Sequence, residues 1–457
     1  MSRAEEAAVV IVGAGISGLT CLWRLRQAGV DAICLEESER VGGALSSRRA
    51  DGFLVEAGAT TVLETPELVR LAEEAGLEGE IVRSERGLPR FILRHGVLHP
   101  LPRGLVPLLR TGLLSKRGKL RLLAERWAPR RAEAGDDSVA SFVRRRVGAE
   151  AVEAFVAPFV AGTFGGVPEG LGARAVLPAL VELEDRFGGV MLGLLRSAGT
   201  RGPSALRTLV SFRDGLESLP RQLSERLGER IRLGTAVEAI WRDASGADWL
   251  WLKTRRRGDI TTVRTRAVIV AVPACVAARL VDALAPGAAS ALAELESVPL
   301  ATVSVAWPRA DVRHPLRGFG FLVSPGERVR ILGCLWPSSL LPGRAPEGWA
   351  SFTAFVGGAR DPEGASLGDD RLVETVRADL GNTLDITGPP RVLSIDRYPR
   401  ALPQYAPGHA QRVENARAAI ASAPGLFLAG NYLGGVSVGE CVRQASEVAA
   451  AVAEQVN

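Results

Sequence analysis

Residues 7–18 read AAVVIVGAGISG. Ala7 to Val12 is an unbroken apolar run, the pattern of a strand buried on both faces of a parallel sheet. The turn Gly13-Ala14-Gly15-Ile16-Ser17-Gly18 follows directly, and Ile16 to Ala28 carries the apolar period of a helix that stops at Gly29. A second strand, Ala32 to Leu35, ends on Glu36. Strand, glycine turn, helix, strand and acid make a βαβ unit suited to a dinucleotide. Gly13 permits the tight turn, Gly15 lets the backbone approach a pyrophosphate, and Gly18 lets helix and strand close on each other. The phosphates would rest on the helix N-terminus, at Ile16 and Ser17. Glu36 is placed to accept hydrogen bonds from ribose hydroxyls.

Working outward, the chain has 457 residues, enough for two or three packed units. It is 47% hydrophobic and 23% charged, ordinary for a globular enzyme. Of 56 basic residues only Lys116, Lys119 and Lys253 are Lys. A net charge of +5 is too mild to call for nucleic acid. Five scattered Cys with no CxxC, and four scattered His, point to free thiols in a reducing compartment and to no metal centre. The N-terminus lacks the pattern of a secretory leader, and no run of 18 apolar residues occurs, so neither secretion nor membrane spanning is expected.

From Ser138 to about Leu195 the texture is helical with glycine breaks. From Arg230 it turns to β-branched runs, including LATVSVAW, FGFLVSP, RVRILGCLW and ASFTAFVGG, the signature of an antiparallel sheet. PGLFLAGNYLGG then gives a strand and loop, and Glu440 to Val456 a closing amphipathic helix. A strand-glycine-helix unit at each end implies a nucleotide domain assembled from distant segments.

The continuation Glu36-Glu37-Ser38-Glu39-Arg40-Val41-Gly42-Gly43 resembles the flavin amine oxidase and porphyrinogen oxidase superfamily, whose second strand ends in an acid followed by Arg-x-Gly-Gly. The resemblance implies FAD. It places Glu36 and Glu37 at the cofactor, gives Arg40 as fixed charge for phosphates or ribose, and lets the backbone of Gly42 and Gly43 pass close by. Ala44 stands where an Arg often follows, so that contact is expected to be missing. Gly58-Ala59-Thr60-Thr61 matches the stretch beside the isoalloxazine, with Thr60 in place of a common Asn. Val237 falls where the main chain meets adenine, and Gly430-Asn431 where it meets the pyrophosphate and ribityl chain. Val436, Ser437 and Val438 open the last helix, whose dipole would favour negative charge on the reduced flavin. Cys441 falls inside that helix, so non-covalent FAD is expected.

Flavin amine oxidases of this superfamily carry a Lys at flavin N5 in the second half of the chain; here no Lys follows Lys253. Blocks such as PRFILRHGVLHPLP, DSVASFVRRRVGAEAVEAFVAPFVAGTFGG, LGCLWPSSLLPGRAP and LPQYAPGH resemble instead oxygen-dependent protoporphyrinogen oxidases, across nearly the whole chain. Ala410 departs from that pattern, which often has Trp after Gly-His. The resemblance implies a six-electron oxidation of protoporphyrinogen IX to protoporphyrin IX in heme biosynthesis. It would proceed as three hydride transfers to flavin N5, with dioxygen reoxidising the flavin to release hydrogen peroxide. No catalytic acid or base is implied. Alternatives left open are a coproporphyrinogen III oxidase and, more distantly, a carotenoid desaturase-like or amine oxidase flavoenzyme. By family position Arg90 would bind a substrate carboxylate, Leu322 and Leu335 would sandwich one pyrrole, and Phe355 would lie against another. His409 reads as structural.

Between Arg103 and Arg131 nine bases and one acid, Glu125, are interleaved with Leu, a local +8 that leaves the rest of the chain at −3. That is the composition of an interfacial segment on anionic lipid. The resemblance implies peripheral attachment at the cytoplasmic face of a membrane; a homodimer is left open. The expected class is thus α/β plus α+β. A discontinuous Rossmann-like FAD-binding domain would take residues 1–75, 205–290 and 415–457. A mixed-sheet substrate domain would take 76–97 and 291–414, and a helical membrane-associating insertion 98–204.

Overall fold

A computed structural model describes residues 5–129, 135–197, 208–242 and 249–456. At its centre is a five-stranded parallel sheet in the order Ile231–Arg232, Ala32–Leu35, Val9–Val12, Ala267–Val270, Leu426–Leu428. The first of the expected strands begins at Val9, two residues later than the apolar run. Its side chains alternate between two cores. Val9 and Ile11 pack with the helices Ile16–Gln27 and Val438–Val456, whereas Val10 and Val12 pack with Ala274–Val281 and Pro286–Ala293. Burial on both faces is why this stretch lacks polar alternation. Val12 pairs with both Leu35 and Val270, so the glycine turn and Glu36 emerge together at the carboxyl edge, where ligands bind in open α/β sheets.

A four-stranded sheet formed by Glu5–Glu6, Asp259–Thr265, Leu250–Arg256 and Thr235–Arg242 flanks this edge, with an irregularity in register just after Val237. The second large sheet has seven strands: Arg391–Pro403, Ser297–Pro308, Trp349–Gly357, Gly333–Leu335, Gly320–Val323, Phe91–Arg94 and Val97–Pro100. Its pairs are antiparallel except Gly320–Val323 with Phe91–Arg94, which is parallel because the latter strand arrives from a distant part of the chain. Its back face carries Val303, Val305, Trp307 and Phe352 against the helix Asp369–Leu384. Its front face turns toward the nucleotide cleft. Ile81–Arg83 pairs with Leu209–Phe212, which also pairs with Val62–Leu63, joining the two regions near residue 76.

Helices between Leu105 and Ser197 form the third unit, with a core of Val139, Phe142, Val160 and Phe164. Arg146 and Glu125, each 1% exposed, form a fully buried ion pair there. Removing one partner of such a pair is expected to cost about 3–5 kcal/mol, because the other is left charged and dry.

Candidate active site

Gly13 sits at φ 100°, and a Cβ on it would stand 2.7 Å from the Ala271 carbonyl. A Cβ on Gly18 would fall 1.9 Å from the Gly13 carbonyl, so the first turn of the helix lies directly on the glycine turn. Gly15 differs from both: a Cβ there meets nothing within 4 Å and projects into open space. The helix it caps carries no side-chain cap and no acid in its first turn, leaving its leading N–H groups for an anion. Gly42 donates its N–H to the Ala14 carbonyl at 2.8 Å, bringing the second glycine pair alongside the first.

The Glu36 carboxylate is already engaged. One oxygen accepts the Ala14 N–H at 2.7 Å, and the other accepts the Ser38 N–H at 2.9 Å and the Ser38 hydroxyl at 2.7 Å. It therefore braces the turn and still lines the cleft. Arg40 departs from expectation. Its guanidinium donates to the carbonyls of Gly43 at 2.7 Å and Val41 at 3.2 Å, closing its own loop, and it does not line the cleft.

The cleft measures about 480 Å³. It collects Gly13, Gly15, Ile16, Ser17, Glu36, Glu37, Gly42, Gly43, Gly58, Ala59, Val237, Gly430, Asn431, Val436 and Val438 from five separate stretches of chain. Gly18 serves packing instead. Ser437 lies just outside the final helix, where its hydroxyl accepts the Glu440 N–H at 3.2 Å. Thr60 and Thr61 line a second, smaller cavity. Cys441 lines the cleft from within the helix, and burial pushes its thiol up to about 11, which keeps it protonated and unreactive.

Three neighbours of the cleft were not evident from motifs. Leu300 and Thr302 enter from the front face of the seven-stranded sheet, and the Thr302 hydroxyl donates to the Ala57 carbonyl at 3.0 Å. Tyr398 lies opposite Leu300; burial and the Asp396 carboxylate push its phenol above the ordinary range. Tyr405 donates its hydroxyl to the Asn431 carbonyl and stacks on His409 at 4.2 Å between ring centres. His409 is buried, and among the described residues neither ring nitrogen has a partner within hydrogen-bond geometry.

The substrate candidates share the same front face. Thr302 pairs with Phe355, Phe355 with Gly333, and Gly333 with Leu322, so one row across four strands runs from the cleft to Leu322. Residues directly opposite share a face. Gly333 has no room for a side chain, since a Cβ on it would stand 2.7 Å from the Phe321 carbonyl and 3.1 Å from the Leu322 side chain, and Leu335 flanks it two residues along. All three apolar side chains are half-buried. Arg90 lies at the end of this face with its guanidinium 4.5 Å from the centre of the Phe319 ring. Among the described residues no carboxylate pairs with it. Arg90 is itself an exposed residue.

The sequence pattern of the flavin-containing amine oxidoreductases matches residues 16–453. Protoporphyrinogen oxidase 1 of Spinacia oleracea chloroplasts is 34% identical over 97% of this chain and 84% of its own. Coproporphyrinogen III oxidase of Bacillus subtilis is 29% identical over 95% of this chain and 96% of its own. The crystal structure of a candidate protoporphyrinogen oxidase from Exiguobacterium sp. superimposes with a TM-score of 0.84 at 28% identity, covering 100% of both chains. The open side of Gly15, the uncapped helix start and the long cleft fit FAD, the cofactor of this family. The chain belongs to the flavin-containing amine oxidoreductase family, in the branch that includes the porphyrinogen oxidases.

Proposed function

We propose that this protein oxidises protoporphyrinogen IX to protoporphyrin IX in heme biosynthesis, using non-covalently bound FAD and dioxygen and releasing hydrogen peroxide. The observation that carries the reading is the row Thr302, Phe355, Gly333, Leu322, which continues the cofactor cleft into a flat apolar face ended by Arg90. Bound FAD supplies hydride acceptance. The chain supplies orientation: Leu322, Leu335 and Phe355 offer apolar contact to the faces of a macrocycle, and the unpaired Arg90 fork takes a propionate. Aromatisation drives the oxidation, which leaves little for a catalytic acid or base to do. Aerobic turnover is expected to yield three peroxides per porphyrin, as three two-electron steps require. No peroxide overturns the use of oxygen, and one per porphyrin overturns its use in all three steps.

Coproporphyrinogen III is the second reading, favoured by the similarity to the Bacillus subtilis enzyme named for it. It carries four propionates where protoporphyrinogen IX carries two, and Arg90 alone among the four candidates is a cation.

Peripheral attachment to the cytoplasmic face of a membrane belongs to the same reading. In the helical unit Leu120, Leu123 and Trp127 stand 66, 51 and 77% exposed, beside Lys116, Arg117 and Lys119. Glu125 is withdrawn into its pair with Arg146, so the exposed part of this stretch carries no acid of its own. Arg130 and Arg131, counted in the basic stretch, lie outside the described residues. Among the described residues no helix is long and apolar enough to cross a membrane.

A further inference from the structure

Behind Thr60 and Thr61 lies a cavity of about 30 Å³, enough for an ordered water. Its lining is mostly apolar, but Ser304, Ser351 and Thr353 bring hydroxyls to it, and Glu56 and Arg344 bring charge. Leu335, on the front face, closes it toward the substrate candidates. Arg344 is 2% exposed; one amino group donates to the Ser211 hydroxyl at 2.6 Å, and the other, Nη1, is buried with no acceptor among the described residues. An unmatched buried guanidinium nitrogen is costly unless a water fills the gap.

Glu56 ends the buried strand Phe53–Glu56, and its carboxylate lies 3.8 Å from Arg344. It accepts the Leu216 N–H at 3.1 Å and the Ser211 hydroxyl at 3.3 Å, and on its outer side the Ser47 hydroxyl at 2.5 Å. Ser47 is half-exposed, and its own N–H donates to Glu217 at 2.7 Å. A line of contacts therefore runs from the cavity through the Glu56 carboxylate to the hydroxyl of half-exposed Ser47.

We infer that Glu56 and Ser47 are the exit route for the proton released when a substrate at this site is oxidised. The inference rests on the function proposed above. Each two-electron step removes a hydride, which FAD accepts, and a proton, which must leave a closed apolar site. Water in the cavity passes that proton to the Glu56 carboxylate; the Ser47 hydroxyl, which donates to Glu56 at rest, then turns outward, and its oxygen takes the carboxyl proton as its own goes to bulk water. One proton leaves and no atom is consumed. Burial raises the proton affinity of Glu56, and the Ser47, Arg344, Leu216 and Ser211 contacts oppose it. The other charges nearby are Arg49 and Asp214, which act on Arg344, and Glu217 beyond Ser47.

The test has two arms on the FAD-loaded protein. In the first, an infrared difference spectrum is taken between acid and alkaline pH, without porphyrinogen. A protonated-carboxyl band that shifts in D₂O and disappears in Glu56→Gln is expected; no such band, or one that survives the substitution, overturns the inference. In the second, anaerobic bleaching of the flavin by protoporphyrinogen IX is timed. Ser47→Ala, which leaves the Arg344 pair intact, is expected to slow it at least about tenfold and to respond to added imidazole. Wild-type rates in Ser47→Ala and Glu56→Gln overturn the route while leaving the proposed function standing. If the wild-type protein does not bleach at all, the proposed function fails and the infrared arm still decides the route.

Discussion

The Glu36 carboxylate accepts the Ala14 N–H at 2.7 Å, tying the end of one parallel strand to the middle of the glycine turn that ends its neighbour. The turn is thus shaped before any ligand arrives. Gly15, one residue further on, is the part left facing the cleft.

Substitutions at Gly15 and Gly18 should therefore separate binding from folding. Gly15→Ala adds a methyl to open space at an ordinary backbone φ of −68°, and is expected to cost the FAD-free protein no more than about 1 kcal/mol. It should weaken FAD by about tenfold or more by occupying the cleft. Gly18→Ala drives a methyl into the Gly13 carbonyl and should destabilise the FAD-free protein by about 3 kcal/mol. Urea unfolding of the FAD-free proteins and titration of FAD fluorescence check both.

Arg90 has no carboxylate of its own and rests on the Phe319 ring. Arg90→Ala is expected to raise KM for the porphyrinogen by about 10- to 100-fold, with FAD content and kcat near wild type. Arg90→Lys should recover only part, since an ammonium lacks the fork. Steady-state kinetics with the flavin-to-protein absorbance ratio measure this, and an unchanged KM returns Arg90 to the solvent-facing surface.

His409 sets a pH dependence whose sign follows from its burial. Burial, with Arg412 adding, pulls its pKa to about 4; a main-chain contact at Tyr432 and the Asp136 carboxylate oppose this. The folded state therefore holds His409 neutral where the unfolded chain, near 6.5, binds a proton. Stability should fall as pH drops from about 6.5 to 4, by about 3 kcal/mol from this group. His409→Phe should lose less stability than wild type between pH 7 and pH 4.5 in urea titrations; parallel losses would contradict the assignment.

Attachment to lipid should need both halves of the exposed segment. Co-sedimentation with vesicles is expected to require anionic lipid and to weaken with salt. Trp127→Ala combined with Leu120→Ser should reduce it on anionic vesicles by at least about tenfold, with the fold and FAD content intact. Equal recovery on neutral and anionic vesicles would remove the electrostatic part of the account.

Gly13 and Gly18 were legible in the sequence because each answers to a backbone requirement that no other residue meets, whereas Gly15 is marked only by its place between them. Gly13 and Gly18 show that requirement in the atoms a Cβ would strike. What Arg40 does was not legible, since its position in a motif does not say which carbonyls its long side chain reaches; it donates to those of Gly43 and Val41. Thr302 and Tyr398 were missed for a different reason. Their place beside the cleft depends on the register between Ser297–Pro308 and Arg391–Pro403, which shifts after Val298 and again after Ser304. A one-residue slip sends a side chain to the other face, and no local pattern records where such a slip falls. The buried line from Arg344 through Glu56 to Ser47 was hidden likewise, because it joins three stretches that meet only in the fold.

The central claim is that the apolar face beyond Thr302 holds a porphyrinogen against the flavin. Anaerobic stopped-flow mixing of the FAD-loaded protein with protoporphyrinogen IX, and separately with coproporphyrinogen III, tests it most directly through the flavin absorbance. The account predicts rapid bleaching by protoporphyrinogen IX, followed by the appearance of porphyrin fluorescence when oxygen is admitted. Faster bleaching by coproporphyrinogen III would transfer the assignment to that substrate, and an oxidised flavin spectrum unchanged by either would contradict it.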